Sequence, residues 1–151
     1  MTRVLFVCSG NTCRSPMAEL YFNDLCRRAG RGDITSVSAG VCAIPGVPIA
    51  AAAREALADL GIAAGDFRSR RLDGALLAES DLVVVMAASH RAAVAAAFPE
   101  CRAPIRMLLE FAGSGASVPD PYGESADVYR RILTLMRPAL SGLARHLAAV
   151  G

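Results

Sequence analysis

The stretch Val4-Leu5-Phe6-Val7-Cys8-Ser9-Gly10-Asn11-Thr12-Cys13-Arg14-Ser15-Pro16 decides how this chain folds. Its first five residues are continuously apolar, the pattern of a strand covered on both faces, as in parallel sheets. Ser9-Gly10-Asn11 signals a turn, and a helix is expected from about Ser15 to Ala29. Pro16 suits the first helical turn, Glu19 lies near the positive end, and Gly30 stops the helix. A strand, a turn and a helix in such close order open an α/β unit.

The same alternation continues outward. Ile34–Ser38 reads as a second strand and Pro48–Leu60 as an alanine-rich helix stopped at Gly61. Leu82–Met86 reads as a third strand, Ser89–Phe98 as a helix and Ile105–Leu109 as a fourth strand. The loop from Gly113 to Gly123 is rich in glycine, serine and proline. From Ser125 onward Val128, Ile132, Leu135, Leu143, Leu147 and Val150 mark one face of a last helix. Pro138 is expected to kink or break it. The pattern predicts a single doubly wound α/β domain over residues 1–151, with about four parallel strands flanked by helices. Ligands of such sheets sit beyond the carboxyl ends of the strands, at a topological switch point. The loop after strand one is therefore the expected site.

Composition narrows the function classes. A chain of 151 residues can bury one continuous core, and 54% hydrophobic with 20% charged residues is a folded, soluble profile. A net charge of +2 is too small to argue for nucleic acid or a membrane surface, although all sixteen basic residues are arginine. The start of the chain shows no secretory pattern, and no apolar run has the length of a membrane span. Five cysteines form an odd set, as expected of reduced thiols in the cytoplasm. With no Cys-x-x-Cys and only His90 and His146, neither a metal site nor a cofactor is expected.

The loop has its own chemistry. If residues 9–15 curl around an anion, successive N–H groups form a nest and the helix adds its positive end. Gly10 is expected to permit the curl. Arg14 offers a planar fork for two oxygens of one phosphoryl group. Cys8 would sit at the base of this field with a lowered thiol pKa, placed for in-line attack on phosphorus. The Cys-x5-Arg spacing alone is weak; the strand before it, the glycine within it and the helix after it give it meaning. The alternative is a buried structural cysteine. Asp120 likewise has two readings: a general acid on a mobile-looking loop, or a simple Asp-Pro turn starter.

The run from Val7 to Glu19 resembles the signature of the low-molecular-weight protein tyrosine phosphatases. The resemblance extends along the chain, through Ser38-Ala39-Gly40, Asp81-Leu82-Val83 and Asp120-Pro121-Tyr122-Gly123. It implies Cys8 as nucleophile, Arg14 as phosphoryl binder and Asp120 as general acid. Ser15 would hydrogen-bond the thiolate, and Asn11 would brace the loop, with Ser38 as a partner. Ser9, Gly10, Thr12 and Cys13 would complete the phosphate cradle, and Tyr122 would wall the cleft. Phe67 stands where many members carry a histidine that supports the loop asparagine.

Thr12 replaces the aliphatic residue usual in tyrosine-directed members and resembles the protein-arginine phosphatase branch, although Tyr122 stands where that branch often has phenylalanine. The resemblance implies a phosphoprotein phosphatase acting through a phosphocysteine, with phosphoarginine favoured over phosphotyrosine. It also implies a monomer or weak dimer acting on phosphorylated proteins. Arsenate reductase is a lesser alternative, because the paired relay cysteines it needs are missing between Met86 and Glu100. His90 is expected on an exposed helix face, His146 near a helix C-terminus, and Cys13 either as a redox partner of Cys8 or as a packing residue. Arg68, Arg70 and Arg71 read as a solvated basic surface.

Overall fold

The computed structural model describes residues 1–150; Gly151, the last residue of the expected domain, lies outside them. Four strands, β1 (Thr2–Cys8), β2 (Ile34–Gly40), β3 (Leu82–Val85) and β4 (Ile105–Met107), form one sheet in the order β2-β1-β3-β4. All pairings are parallel, with Cys8 opposite Gly40, Val7 opposite Val85, and Val85 opposite Met107. The helices are α1 (Arg14–Arg28), α2 (Ala51–Ala58), α3 (Gly74–Ala78), α4 (Ala88–Ala97) and α5 (Ala126–Val150).

The apolar run of β1 works as its pattern suggests. Val4, Phe6 and Cys8 enter one core with residues of α1, α2 and α5, while Leu5 and Val7 enter the other with Leu72, Leu77 and Val94. Covered on both faces, β1 is also paired along both edges, with β2 and β3. The chain leaves it to place β2 on one flank and then β3 on the other. The switch point thus falls between the carboxyl ends of β1 and β3.

Several boundaries differ from the sequence reading for identifiable reasons. The fourth strand ends at Met107, and Leu108–Ala112 forms a 3₁₀ turn that buries Leu108 and Leu109. Pro48 pairs in an isolated bridge with Arg68, which delays α2 to Ala51. The short α3 has no periodic signal; Asp73 caps it by accepting the Leu76 amide at 2.8 Å. Pro138 does not break α5, which is assigned as one helix on both sides of it. Pro in a helix interior costs about 3 kcal/mol. Beyond it Leu140, Leu143 and Leu147 are buried, and each contributes about 1.5–3 kcal/mol. Burial outweighs the proline. The buried face overlaps the expected one at Ile132, Leu143 and Leu147 but is rotated from it, since Leu135 and Val150 are exposed while Leu133 and Met136 are covered.

Gly142 of α5 lies against the carbonyl of Phe111, and a Cβ there would fall deep inside van der Waals contact with that oxygen. The neighbour is backbone and cannot swing away. Gly142→Ala is expected to cost about 1–3 kcal/mol. That corresponds to a fall in melting temperature of roughly 2–4 °C per kcal/mol for a chain of this size. Thermal unfolding followed by circular dichroism measures it.

Candidate active site

The loop between β1 and α1 turns on Asn11. This residue is fully buried and has a left-handed backbone, φ 56°. Asparagine tolerates that region better than most side chains. Its amide nitrogen donates to Ser15 Oγ at 2.8 Å and to Ser38 Oγ at 2.9 Å, and its oxygen accepts the Arg70 amide at 2.9 Å. Ser38 passes the link on, donating to Glu19 Oε1 at 2.7 Å. Burial raises the Glu19 pKa, while Ser38 and Arg70 act the other way. Phe67, standing where the resemblance places a supporting histidine, packs half-buried against the core, and Asn11 is satisfied by Ser15, the Arg70 amide and, as expected, Ser38.

The glycine that matters is not Gly10. Gly10 is exposed, and a Cβ there would meet only Thr12 Oγ1 at 3.9 Å. The demand falls on Gly40, opposite Cys8, where a Cβ would collide with the Ser9 carbonyl and approach Asn11 N to 2.9 Å. The end of β2 lies against the loop and holds it through Val41 N to Cys8 O and Cys42 N to Ser9 O, both 2.9 Å.

Cys8 lies at the floor, 2% exposed, with Sγ 2.8 Å from Ser15 Oγ. Burial pushes its thiol pKa up; the Ser15 hydroxyl, the backbone amides of Ser15 and Asn11, and the Arg14 guanidinium pull it down. The balance is upward, contrary to the sequence expectation. Counting donors around the sulfur had left out the cost of taking it out of water.

Arg14 is buried, donates from Nη1 to Val118 O at 2.9 Å, and brings Nη2 to 3.6 Å from Asp120 Oδ2. Val118 is itself pinned, its amide donating to Met86 O at the end of β3 at 2.8 Å. That bond fastens the loop before α5 over the switch point. Asp120 is half-exposed, and its Oδ1 accepts the Tyr122 amide at 3.0 Å in an Asx turn. Cys8 to Arg14, Asp120 and Tyr122 line one cleft of about 200 Å³, with the Tyr122 side chain exposed at its rim. Ser15 lies beneath the sulfur. A slightly larger hollow of about 240 Å³ between α3 and residues 98–103 contains none of these groups.

Cys13 occupies the N-cap position of α1, with Sγ 3.2 Å from the buried Tyr129 hydroxyl and 3.6 Å from Thr12 Oγ1. Burial, and then Cys13, raise the Tyr129 pKa. Among the described residues no cluster of His, Cys, Asp and Glu could hold a metal ion.

His90 corrects the sequence reading. It is 3% exposed, and Nε2 lies 2.9 Å from Ser9 Oγ. The first turn of α4 follows the carboxyl end of β3, so the rule that points to the end of β1 also points there. Helical periodicity does not show which helix starts abut a strand end. Glu19, beyond its place near the positive end of α1, anchors Ser38 by accepting its hydroxyl.

Residues 3–150 match the family model described as Low molecular weight phosphotyrosine protein phosphatase. A protein-arginine-phosphatase of Bacillus subtilis strain 168 is 37% identical over 145 residues, 95% of either chain. A crystal structure of a low molecular weight protein tyrosine phosphatase from T. tengcongensis superposes with a TM-score of 0.92 at 39% identity, covering 97% of this chain and 99% of that one. A cysteine-to-serine mutant of the arginine phosphatase YwlE, with a phosphorylated active site serine, also gives a TM-score of 0.92. It is 36% identical and covers 97% of this chain and 96% of its own.

With the family match and these relatives, the cysteine-bearing loop at the switch point of a parallel sheet marks the chain as a cysteine-dependent protein phosphatase. The chain belongs to the low molecular weight phosphotyrosine protein phosphatase family.

Ser15 supplies the largest influence lowering the Cys8 thiol pKa. Ser15→Ala is therefore expected to move that pKa further up and to slow alkylation of Cys8 by iodoacetate at neutral pH. Ultraviolet thiolate absorbance against pH, in a background where the other four cysteines are serine, measures the shift.

Proposed function

We propose that this phosphatase hydrolyses phosphoarginine in protein substrates, with Cys8 as nucleophile. The observation that carries the substrate choice is Thr12, half-buried in the loop and lining the cleft beside Cys8. The Bacillus subtilis relative, named for protein-arginine phosphatase activity, supports it.

The Cys8 thiolate attacks phosphorus, forming an S–P bond while the P–N bond to the guanidine breaks. Arg14 and the loop amides stabilise the charge on the three outer oxygens. The Asp120 carboxyl gives its proton to the departing nitrogen, so the product leaves as a guanidinium. Water then attacks the S–P bond, the Asp120 carboxylate takes its proton, and phosphate leaves with the thiolate restored. The phosphorylated serine in the YwlE mutant supports an acceptor at this position.

Arginine as leaving group suits the cleft on charge. Its guanidinium is cationic, and Asp120 stands at the mouth. The loop Val41–Gly46 presents no aromatic side chain, and Ile44 points to solvent at 73% exposure. A phosphotyrosine ring would find only Tyr122 as an aromatic neighbour in the cleft lining. Phosphotyrosine remains the second reading, favoured by the T. tengcongensis enzyme. The five free thiols support action in the cytoplasm, as a monomer or weak dimer. No described helix is long and apolar enough to cross a membrane.

Asp120→Asn is expected to lower turnover of phosphoarginine peptides by roughly 10²–10⁴-fold, the usual worth of acid–base help. The loss should be smaller for p-nitrophenyl phosphate, whose leaving group hardly needs a proton. An equal, negligible effect on both substrates would remove Asp120 from the proton transfer.

Thr12→Ile keeps the β-branched shape and deletes the hydroxyl. It is expected to raise the ratio of phosphotyrosine to phosphoarginine turnover, chiefly by depressing the latter. Wild-type kcat/KM values favouring phosphotyrosine peptides would overturn the arginine assignment.

A further inference from the structure

Ser9 and His90 meet where the chain switches sides, one following β1 and the other in the first turn of α4. The ring is 3% exposed, its Nε2 is 2.9 Å from Ser9 Oγ, and its Nδ1 is buried with no hydrogen-bond partner among the described residues. Those three facts select a tautomer. With the proton on Nδ1, a buried N–H would have no acceptor, at a cost of about 1–3 kcal/mol. With the proton on Nε2, the orphan is an acceptor, which buried sites tolerate more readily.

In that tautomer the ring donates from Nε2 to Ser9 Oγ. An oxygen that accepts there must turn its own hydrogen elsewhere. Ser9 lines the cleft with Cys8 and Arg14, and His90 is the only side-chain partner of its hydroxyl among the described residues. We propose that His90 is a positioning residue: it holds Ser9 so that the hydroxyl hydrogen points into the cleft and donates to a non-bridging oxygen of the bound phosphoryl group.

Ser9 thus supplies the loop with a side-chain donor in addition to its amides. Burial, and then Arg14, hold the imidazole pKa down to about 4, with Asp120 opposing. The ring stays neutral at neutral pH, and the donor direction is fixed there. The inference rests on the phosphatase reading of the cleft.

The test uses inhibition of p-nitrophenyl phosphate hydrolysis by inorganic phosphate, with thermal unfolding recorded for each variant. Ser9→Ala should weaken phosphate binding about tenfold, the loss of one hydrogen bond to a charged group. Ser9→Thr, which keeps the hydroxyl, should bind close to wild type. His90→Leu should weaken binding like Ser9→Ala, and the double variant no further than either alone. His90→Gln, with an amide donor near the Nε2 position, should recover most of the affinity.

A merely structural histidine would lower the melting temperature in His90→Leu without changing the phosphate inhibition constant. Nitrogen-15 NMR of the wild type should place the ring proton on Nε2. If His90→Leu does not fold, the Ser9 pair and the NMR tautomer decide alone. Wild-type affinity in Ser9→Ala, a proton on Nδ1, or multiplying losses in the double variant would each overturn the inference. A wild type that neither hydrolyses p-nitrophenyl phosphate nor binds phosphate would instead sink the phosphatase reading itself.

Discussion

The site depends on one buried asparagine. Asn11 takes a backbone conformation that L-residues ordinarily avoid, at a cost of roughly 1–2 kcal/mol, and it does so with no solvent exposure. Three hydrogen bonds compensate, to Ser15, Ser38 and the Arg70 amide. Because those partners come from α1, β2 and the segment before α3, one side chain ties three parts of the chain to the loop. The loop amides can then converge because Asn11 has turned the chain. A residue that could not donate twice and accept once would leave buried polar groups unpaired.

Burial works against the chemistry it protects. The pocket that excludes water from Cys8 also raises the cost of charging its sulfur, and hydrogen bonds from Ser15 and the Asn11 amide, with the positive charge of Arg14, are set against that cost. Arg14 itself is not free to move toward the thiol, since Val118 O holds one arm of the fork and Asp120 stands beside the other. The guanidinium is therefore oriented by the loop that carries the candidate acid. Orientation of one group fixes the other, which is why the cleft gathers residues more than a hundred positions apart.

Much of this was legible in the sequence, and the failures have physical causes. The apolar run of β1 announced a strand covered on both faces, and the turn and helix behind it placed the loop at the switch point. The alternation of elements announced about four parallel strands, while their order, β2-β1-β3-β4, needed the structure. Gly10 and Gly40 show the limit: both are glycines near the loop, yet only contact in three dimensions tells which one has no room for a Cβ. Pro138 shows another, because local propensity loses to the side chains α5 buries beyond it. His90 was misjudged because helical periodicity says nothing about which helix ends abut a site. The raised thiol pKa was missed because a sequence displays donors but not depth.

The central position of β1 also bears on how the chain is made. Synthesis delivers β1 first and β2 soon after, so one edge of the central strand is paired early. Its other edge waits for Leu82–Val85, and the loop waits longer still, for Val118 to reach Arg14 and for α5 to cover Phe22 and Met17. Until then an apolar strand with open hydrogen-bonding groups is exposed on the nascent chain, the condition that favours pairing with other chains. The topology that puts the cysteine at the heart of the sheet thus leaves its strand paired on one edge alone until Leu82–Val85 has emerged.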